Sequence, residues 1–442
     1  LLATLFAINL FAYADRTVVG AVAQAMKVDL RISDTEIGLL NGFAFALFYS
    51  VLGLPIARLA ERSSRVNIVA IAVGVWSIFA SLCGVARSFG ELFLFRVGVG
   101  VGEAGFNPPV ASLIADYYKA GRRAKAMAVV GLGGAFGPAL GAMGGGMIAQ
   151  AGSWRSAFII IGLPGLILAP IAWFMLREPP RGWADGAQAD AVARPGIIET
   201  FGYLLAKPAF RAVLVAGAIA SAATNVISQF TASFFVRSFA LSYAQAGFLA
   251  GMIGGVAVTL GVMMGGILSD RLAMRDRRWL MWTPGIGVLL SAPVYIMAVS
   301  TGSLWAAVAG FLIAGVGLFS YYSPTMASVQ DMAAPRMRAS ASFLYSFATI
   351  LIGAGLGPVI SGALSDHFAS GAFAGDFDAS CPGGQAIKGA AEALVQSCRT
   401  ASAAGLAHSL MAMQAAIPVG VIAYFVAART LRRDTFVPAG EA

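Results

Sequence analysis

Long apolar runs separated by short polar intervals recur along the whole chain. A bilayer core is crossed by about 20 mostly apolar helical residues. Runs of that kind lie at approximately 1–26, 36–57, 66–86, 91–114, 125–150, 155–176, 209–236, 244–268, 279–299, 303–331, 339–364 and 405–428. Alternating barrel strands of about ten residues do not fit runs this long. The pattern therefore predicts an all-α membrane protein with twelve transmembrane helices. The interval 177–208 divides them six and six, into residues 1–176 and 209–442. Within that linker Ile197, Ile198, Phe201, Leu204 and Leu205 share one helical face, which predicts an interfacial helix lying on the bilayer.

Composition agrees with a polytopic membrane protein and excludes most soluble classes. Of 442 residues 58% are hydrophobic, 53 are glycine, and only 12% are charged, against roughly 25% charged in a soluble domain. The net charge of +9 raises nucleic acid as a partner. However, the basic residues recur between apolar runs rather than clustering on one face or tail, so no nucleic acid is expected. Their distribution instead sets topology. One set of loops carries Arg58, Arg62 and Arg65; Lys119, Arg122, Arg123 and Lys125; Arg177, Arg181, Arg194, Lys207 and Arg211; Arg271, Arg275, Arg277 and Arg278; Arg336 and Arg338; and Arg429, Arg432 and Arg433. The alternate loops carry only Lys27, Arg31, Arg87, Arg155, Arg237, Lys388 and Arg399. The positive-inside rule then predicts a multi-pass protein of the cell (inner) membrane with both termini cytoplasmic. His367, His408, Cys83, Cys381 and Cys398 are too few and scattered for a metal cluster, and no cofactor is expected. The outer loop 365–404 holds Cys381 and Cys398; an oxidising compartment would permit a disulfide there, and two separate thiols are the alternative.

The two halves repeat one another. Gly133, Gly137, Pro138 and Gly141 in the fifth span match Gly353, Gly357, Pro358 and Gly362 in the eleventh. Ala57-Arg-Leu-Ala-Glu61-Arg62 ends the second span and Gly266-Ile-Leu-Ser-Asp270-Arg271 ends the eighth. Small residues four apart let helix backbones approach closely, in sliding or in static packing. The segment Gly266–Asp270–Arg271 resembles the loop signature of the major facilitator superfamily. Its first-half counterpart departs from that signature, with Ala57 for Gly, Glu61 for Asp and Ser64 for Gly. Arg96 with Gly98, Gly100 and Gly102 resembles the fourth-helix signature, and Gly133–Gly141 the fifth-helix signature frequent in antiporters. A narrower similarity, to the spinster branch, rests on Asp15-Arg16 and on Gly102-Glu103-Ala-Gly105-Phe-Asn107-Pro108. The resemblance implies two pseudo-symmetric six-helix bundles, and proton-coupled export of an amphiphilic lipid such as a lysophospholipid or sphingosine-phosphate-like molecule. By motif position it assigns Asp15, Arg16 and Glu103 to the site.

Four charges fall inside predicted spans: Asp15, Arg16, Arg96 and Glu103. Each costs about 2.5–3.5 kcal/mol at a helix centre, so two acids against two bases predict mutual neutralisation. Arg96, Gly100, Glu103 and Asn107 form one helical stripe, as do Asn9, Tyr13, Arg16 and Gly20. Since the resemblance implies that these helices face each other, Arg16 is expected to pair with Glu103. Glu103 and Asp15 are then the proton-coupling candidates. Arg16, Tyr13 and Asn107, with Asn225, Gln229, Tyr321 and Tyr322 from the second half, are the substrate-binding candidates. Arg96 is read as structural charge, and Glu61, Arg62, Asp270 and Arg271 as a cytoplasmic latch. A charged wall facing a neutral, partly aromatic one suits an amphiphile with an ionic head; a small organic anion or drug is the alternative. Protons rather than sodium, membrane lipids and a monomeric state complete the expectation. Two signals are set aside. Gly100-Val-Gly102-Glu-Ala-Gly105 matches a dinucleotide fingerprint but lies inside a span. Ser365-Asp366-His367 looks catalytic, yet three consecutive helical side chains diverge, so no enzyme is expected.

Overall fold

The computed structural model describes residues 1–180, 183, 197–334, 337–387 and 389–436. Arg181, Arg194, Arg336 and Lys388 of the expected loops lie outside the described residues, as do the side chains of Glu61, Ile197 and Ile198. The first span is α1 (Leu2–Leu30); the second joins α2 (Asp34–Gly38), a π-helical turn (Leu39–Phe43) and α3 (Ala44–Arg62). The third is α4 (Arg65–Cys83). The fourth is broken into α5 (Phe89–Glu103) and α6 (Asn107–Tyr117). There follow α7 (Ala120–Ala151), α8 (Trp154–Met175), α9 (Ile197–Leu205), α10 (Pro208–Phe239), α11 (Tyr243–Ala273) and α12 (Trp279–Ser300). The tenth span joins α13 (Leu304–Phe319) to α14 (Tyr322–Met332). The eleventh joins α15 (Arg338–Ala348), a π-helical stretch (Thr349–Leu356) and α16 (Gly357–Ala372). A short α17 (Phe377–Ser380) precedes α18 (Glu392–Ala412) and α19 (Ile417–Asp434).

Among the described residues 11 helical stretches are long and apolar enough to cross a membrane. The broken fourth span accounts for the remaining expected crossing. Its break corrects the uninterrupted helix expected over 91–114. Pro108 and Pro109 supply no N–H to the turn before them, so they start a helix instead of continuing one. In α9, Leu204 is buried while Phe201 and Tyr203 are exposed.

The chain forms two compact units. One comprises Leu1–Ala191, Ser228–Gly255 and Pro358–Leu406; the other comprises Val192–Ile227, Val256–Gly357 and Ala407–Ala442. Within the first, the glycine stripe of α7 lies directly on α1. A Cβ on Gly137 would come within 2.5 Å of the Leu10 carbonyl oxygen, and one on Gly141 would overlap the Ala14 carbonyl. Within the second, the eleventh span meets α10 in the same way, with Gly353 against Ser221 and Gly357 against Ala222. Gly353 and Gly357 are thus contact surfaces equivalent to Gly133 and Gly137, whereas Gly362 lies instead against Asp34 and Thr35 of α2.

A second repeat lies at the helix ends that carry the loop signature. Arg65 is buried and pairs with Asp116 at the end of α6; its Nε donates to Glu178 Oε1 at 2.6 Å. Arg277 pairs with Asp331 near the end of α14 at 2.8 Å. The departure at Ser64 has a local cause: its Oγ accepts from Asn67 N and caps α4, and it donates to Glu178 Oε2. Glu178 also accepts from Val66 N at 3.0 Å. Burial pushes the Glu178 carboxyl up, but Val66 N–H, Arg65 and Ser64 outweigh it and hold the group below the ordinary carboxylate value.

The α1–α7 contact yields a direct prediction. Gly141→Val should destabilise the protein by about 1–3 kcal/mol or more through overpacking. Gly144→Ala, whose Cβ would meet nothing within 4 Å, should be neutral or slightly stabilising. Thermal unfolding of the detergent-purified variants separates the two outcomes.

Candidate functional site

The site grows from two turns of α1. Tyr13 and Arg16, three residues apart, project from one side, and α5 brings Glu103 to them as its last helical residue. Arg16 Nε donates to Glu103 Oε2 at 2.6 Å, and Nη2 contacts the same oxygen. The Arg16 side chain is 22% exposed while that of Glu103 is 1% exposed. One end of the pair is therefore reachable and the other sealed. Glu103 Oε1 is buried and has no hydrogen-bond partner among the described residues. Both bonds fall on one carboxylate oxygen, and the other stands empty.

Three rings surround the Arg16 guanidinium. Its Cζ lies 4.8 Å from the Tyr13 ring centroid, 4.7 Å from Phe45 and 5.1 Å from Tyr49, all within the range of cation–π attraction. Phe45 and Tyr49 are four residues apart on α3, and their rings stack at 5.3 Å. Gly100 permits this approach, because a Cβ there would come within 2.7 Å of the Phe45 carbonyl oxygen. Asn107 Nδ2 donates to Tyr49 Oη at 2.9 Å, so Asn107 reaches the cage although the break separates it from the Arg96–Glu103 stripe.

Asp15 and Arg96 form the second pair. Arg96 Nη1 donates to Asp15 Oδ2 at 3.1 Å, and both side chains are buried. Asp15 Oδ1 and Arg96 Nε have no hydrogen-bond partner. Arg96 Cζ lies 5.9 Å from Phe45, so one ring serves both cations. Further along α1, Gly20 lies against Gln229, whose Oε1 is buried and unpartnered.

The remaining second-half candidates lie in the other unit. Asn225 Nδ2 donates to the Ser221 carbonyl at 2.8 Å. Tyr321 is buried. Tyr322 is 52% exposed and forms an edge contact with Tyr321. Tyr424 meets Thr325 at 3.1 Å, and Tyr345 packs on Gly217 with its hydroxyl unpartnered. Arg62, Asp270 and Arg271 are exposed at the ends of α3 and α11.

A further charge cluster corrects the sequence reading, which placed Lys27 and Arg237 in loops. Both lie in helices, with side chains 3% and 5% exposed. Arg237 Nη1 and Nη2 donate to the two Asp34 oxygens at 2.7 and 2.6 Å. Lys27 Nζ lies 2.8 Å from Asp34 Oδ1, and Ser365 Oγ donates to Asp34 Oδ2 at 2.6 Å. Asp366 accepts from the backbone N–H of Asp34 and Thr35 and so caps α2. The Ser365-Asp366 pair is therefore committed to this network. Cys381 and Cys398 are joined in a disulfide, and Gly383 in the loop between them lies against the Lys27 carbonyl. Helices α1, α2, α10 and α16 meet at this disulfide end.

Paired intramembrane charges at a helix break, a glycine-packed α1 and the repeated loop signatures define a secondary transporter. The chain belongs to the major facilitator superfamily, whose family model matches residues 5–358; it is a transporter, not an enzyme. It is similar over 99% of its length, at 32% identity and a TM-score of 0.91, to the crystal structure of a bacterial homolog of the human lysosomal transporter Spinster in an inward-facing, unoccupied conformation, and covers 98% of that chain. An MFS-type efflux pump of Mycolicibacterium smegmatis is 31% identical over 80% of this chain and 81% of that protein. Protein spinster homolog 1 of Xenopus tropicalis is 33% identical over 40% of this chain and 34% of that protein.

The two ion pairs differ in burial, and the difference is measurable. Asp15→Asn strands a fully buried Arg96 and should cost about 3–5 kcal/mol. Replacing both partners with apolar residues, Asp15→Leu with Arg96→Met, should recover much of that loss. Unfolding of the single and double variants in detergent tests the cycle, and a double variant worse than the sum of the two singles would contradict it.

Proposed function

We propose that this chain is a proton-coupled secondary transporter that exports an amphiphilic anion, of the lysophospholipid or sphingosine-phosphate kind, across the cell membrane. It works as a monomer with both termini cytoplasmic, by rocking of the six-helix segments 1–176 and 209–442 around a central site. One observation carries the reading. A partly exposed arginine inside an aromatic cage is held by a single oxygen of a buried glutamate whose other oxygen is empty.

The chemistry follows from that geometry. Ionised Glu103 neutralises Arg16. A proton arriving on Oε1 removes the counter-charge, and a guanidinium left alone in a low-dielectric site attracts an anionic head strongly. The rings of Tyr13, Phe45 and Tyr49 keep Arg16 in place while it changes partner, and their faces suit the first carbons of an acyl chain. Asp15 and Arg96 stay paired and fix α5 to α1, and Asp15, whose second oxygen makes no hydrogen bond among the described residues, is the second proton-coupling candidate. Gln229 in the same unit, and Asn225, Tyr321 and Tyr322 in the other, are the candidates for contacts with the neutral part of the substrate. Glu61, Arg62, Asp270 and Arg271 are the candidates for cytoplasmic gating.

A second reading, a small organic anion or drug as cargo, is favoured by the efflux-pump relative, which aligns over most of both chains. Arg16 serves that cargo equally well, and the two readings differ in the need for an acyl chain. Uptake of labelled lysophospholipid into proteoliposomes, with and without an imposed pH gradient, decides between them. Wild type should respond to the gradient, and Glu103→Gln should lose that response while still binding lipid. Full pH-dependent transport by the variant would refute the mechanism; absence of lipid movement by folded wild type would move the assignment to the small anion.

A further inference from the structure

A cavity of about 260 Å³ lies at the disulfide end, wholly within the first compact unit. Its polar lining includes Gln24, Gln150, Arg237, Gln385, Arg399 and Ser402, with Ser242 and Tyr243 beside them. Two guanidinium groups line it, and no carboxylate does among the described lining residues. The charges beneath are balanced, Lys27 and Arg237 against Asp34 and Asp366. Arg399 has no ion-pair partner among the described residues, so the cavity carries one positive charge in excess.

The hydrogen-bond inventory has the same sign. Gln24 Oε1 accepts from Arg237 Nε at 2.6 Å, and Gln150 Oε1 accepts from Tyr243 N at 3.1 Å. Each donor fixes which amide atom is oxygen, and so each glutamine has its acceptor engaged and its NH2 group without a partner among the described residues. Arg237 uses three of its five N–H groups, one on Gln24 and two on Asp34, which leaves one on each terminal nitrogen. Ser402 is 3% exposed and its Oγ has no hydrogen-bond partner. The backbone packs closely against this side chain. Gly384 has φ +78°, and a Cβ on it would come within 2.9 Å of Ser402 Oγ. The disulfide of Cys381 and Cys398 holds the two neighbours that close the cavity, Gln385 and Arg399.

We propose that this cavity is an oxyanion site that takes a phosphate group, distinct from the Arg16 centre. Arg399 and one of the remaining Arg237 N–H groups provide charge-assisted hydrogen bonds, and the glutamine NH2 groups and the Ser402 hydroxyl supply the rest. Free phosphate and the phosphate head of a lipid present the same chemistry to it. The assignment does not depend on the transport reading, because it concerns binding alone.

The test is calorimetric titration of the full-length, detergent-purified protein with sodium phosphate against sodium chloride at matched ionic strength, and separately with lysophosphatidate. Saturable phosphate binding is expected. It should weaken about tenfold or more in Arg399→Gln and severalfold in Ser402→Ala, and persist in Arg16→Gln. Neither variant at the cavity removes a hydrogen bond within the protein, so both should fold as wild type. Comparable weakening of phosphate and lysophosphatidate identifies a site for the head alone; binding of lysophosphatidate only, still weakened in Arg399→Gln, identifies a lipid head as the source. Binding lost in Arg16→Gln but unchanged in Arg399→Gln and Ser402→Ala would place the anion at the central site and overturn the proposal. Absence of saturable binding by either probe would overturn it too.

Discussion

The cost of placing charge inside a membrane span governs this structure. Asp15, Arg16, Arg96 and Glu103 lie in the middle of helical spans, where each unpaired group would cost about 2.5–3.5 kcal/mol. The pairing found is the one that neutralises all four, Arg16 on Glu103 and Arg96 on Asp15. It demands that α1 and α5 stay in register to within a fraction of a turn. That register in turn needs close packing of α1 on its other side. Gly133, Gly137 and Gly141 of α7 provide it by letting the backbone of α1 approach without an intervening side chain. The glycine motif and the charge motif are two parts of one constraint.

Pairing alone would make a static core, and the two pairs differ in what surrounds them. Asp15 and Arg96 are sealed on both sides. Arg16 is open on one side, and its surroundings are rings, which attract a cation without neutralising it. An arginine held by ring faces keeps its position when its carboxylate partner is neutralised. In the proposed mechanism the proton goes to the buried, unpartnered oxygen of Glu103, where it disturbs no existing hydrogen bond among the described residues.

Much of this was legible in the sequence, and the remainder was hidden for identifiable reasons. Twelve apolar runs declared the spans because hydropathy is a local property. The stripe through Arg96, Gly100 and Glu103 put both charges on one face because helical spacing is local too, whereas the pairing of Glu103 with Arg16 rested on the family resemblance. The break after Glu103 is written in Pro108-Pro109, but the apolar run continues through it, so hydropathy alone does not show it. Phe45 and Tyr49 left only a four-residue spacing on the second span, a signal shared by any aromatic pair in a membrane helix. Lys27 and Arg237 were misplaced because a basic residue near the end of a span looks the same whether it faces water or a buried carboxylate. Only Asp34, brought 203 residues across the sequence to Arg237, distinguishes the two.

That misplaced cluster changes how α1 is understood. Arg16 and Lys27 share the helix and lie 11 residues apart, roughly 16 Å along its axis. One ion network therefore grips α1 at mid-span through Glu103, and another grips it at the disulfide end through Asp34 and Asp366. An unbroken helix between them moves as a rod. A displacement of α1 that separates Arg16 from Glu103 also strains the Lys27 contacts, and loosening the Lys27 contacts lowers the resistance to that displacement. The same helix thus links the chemistry of the central pair to the state of the disulfide end, with no signal needed beyond the stiffness of its backbone.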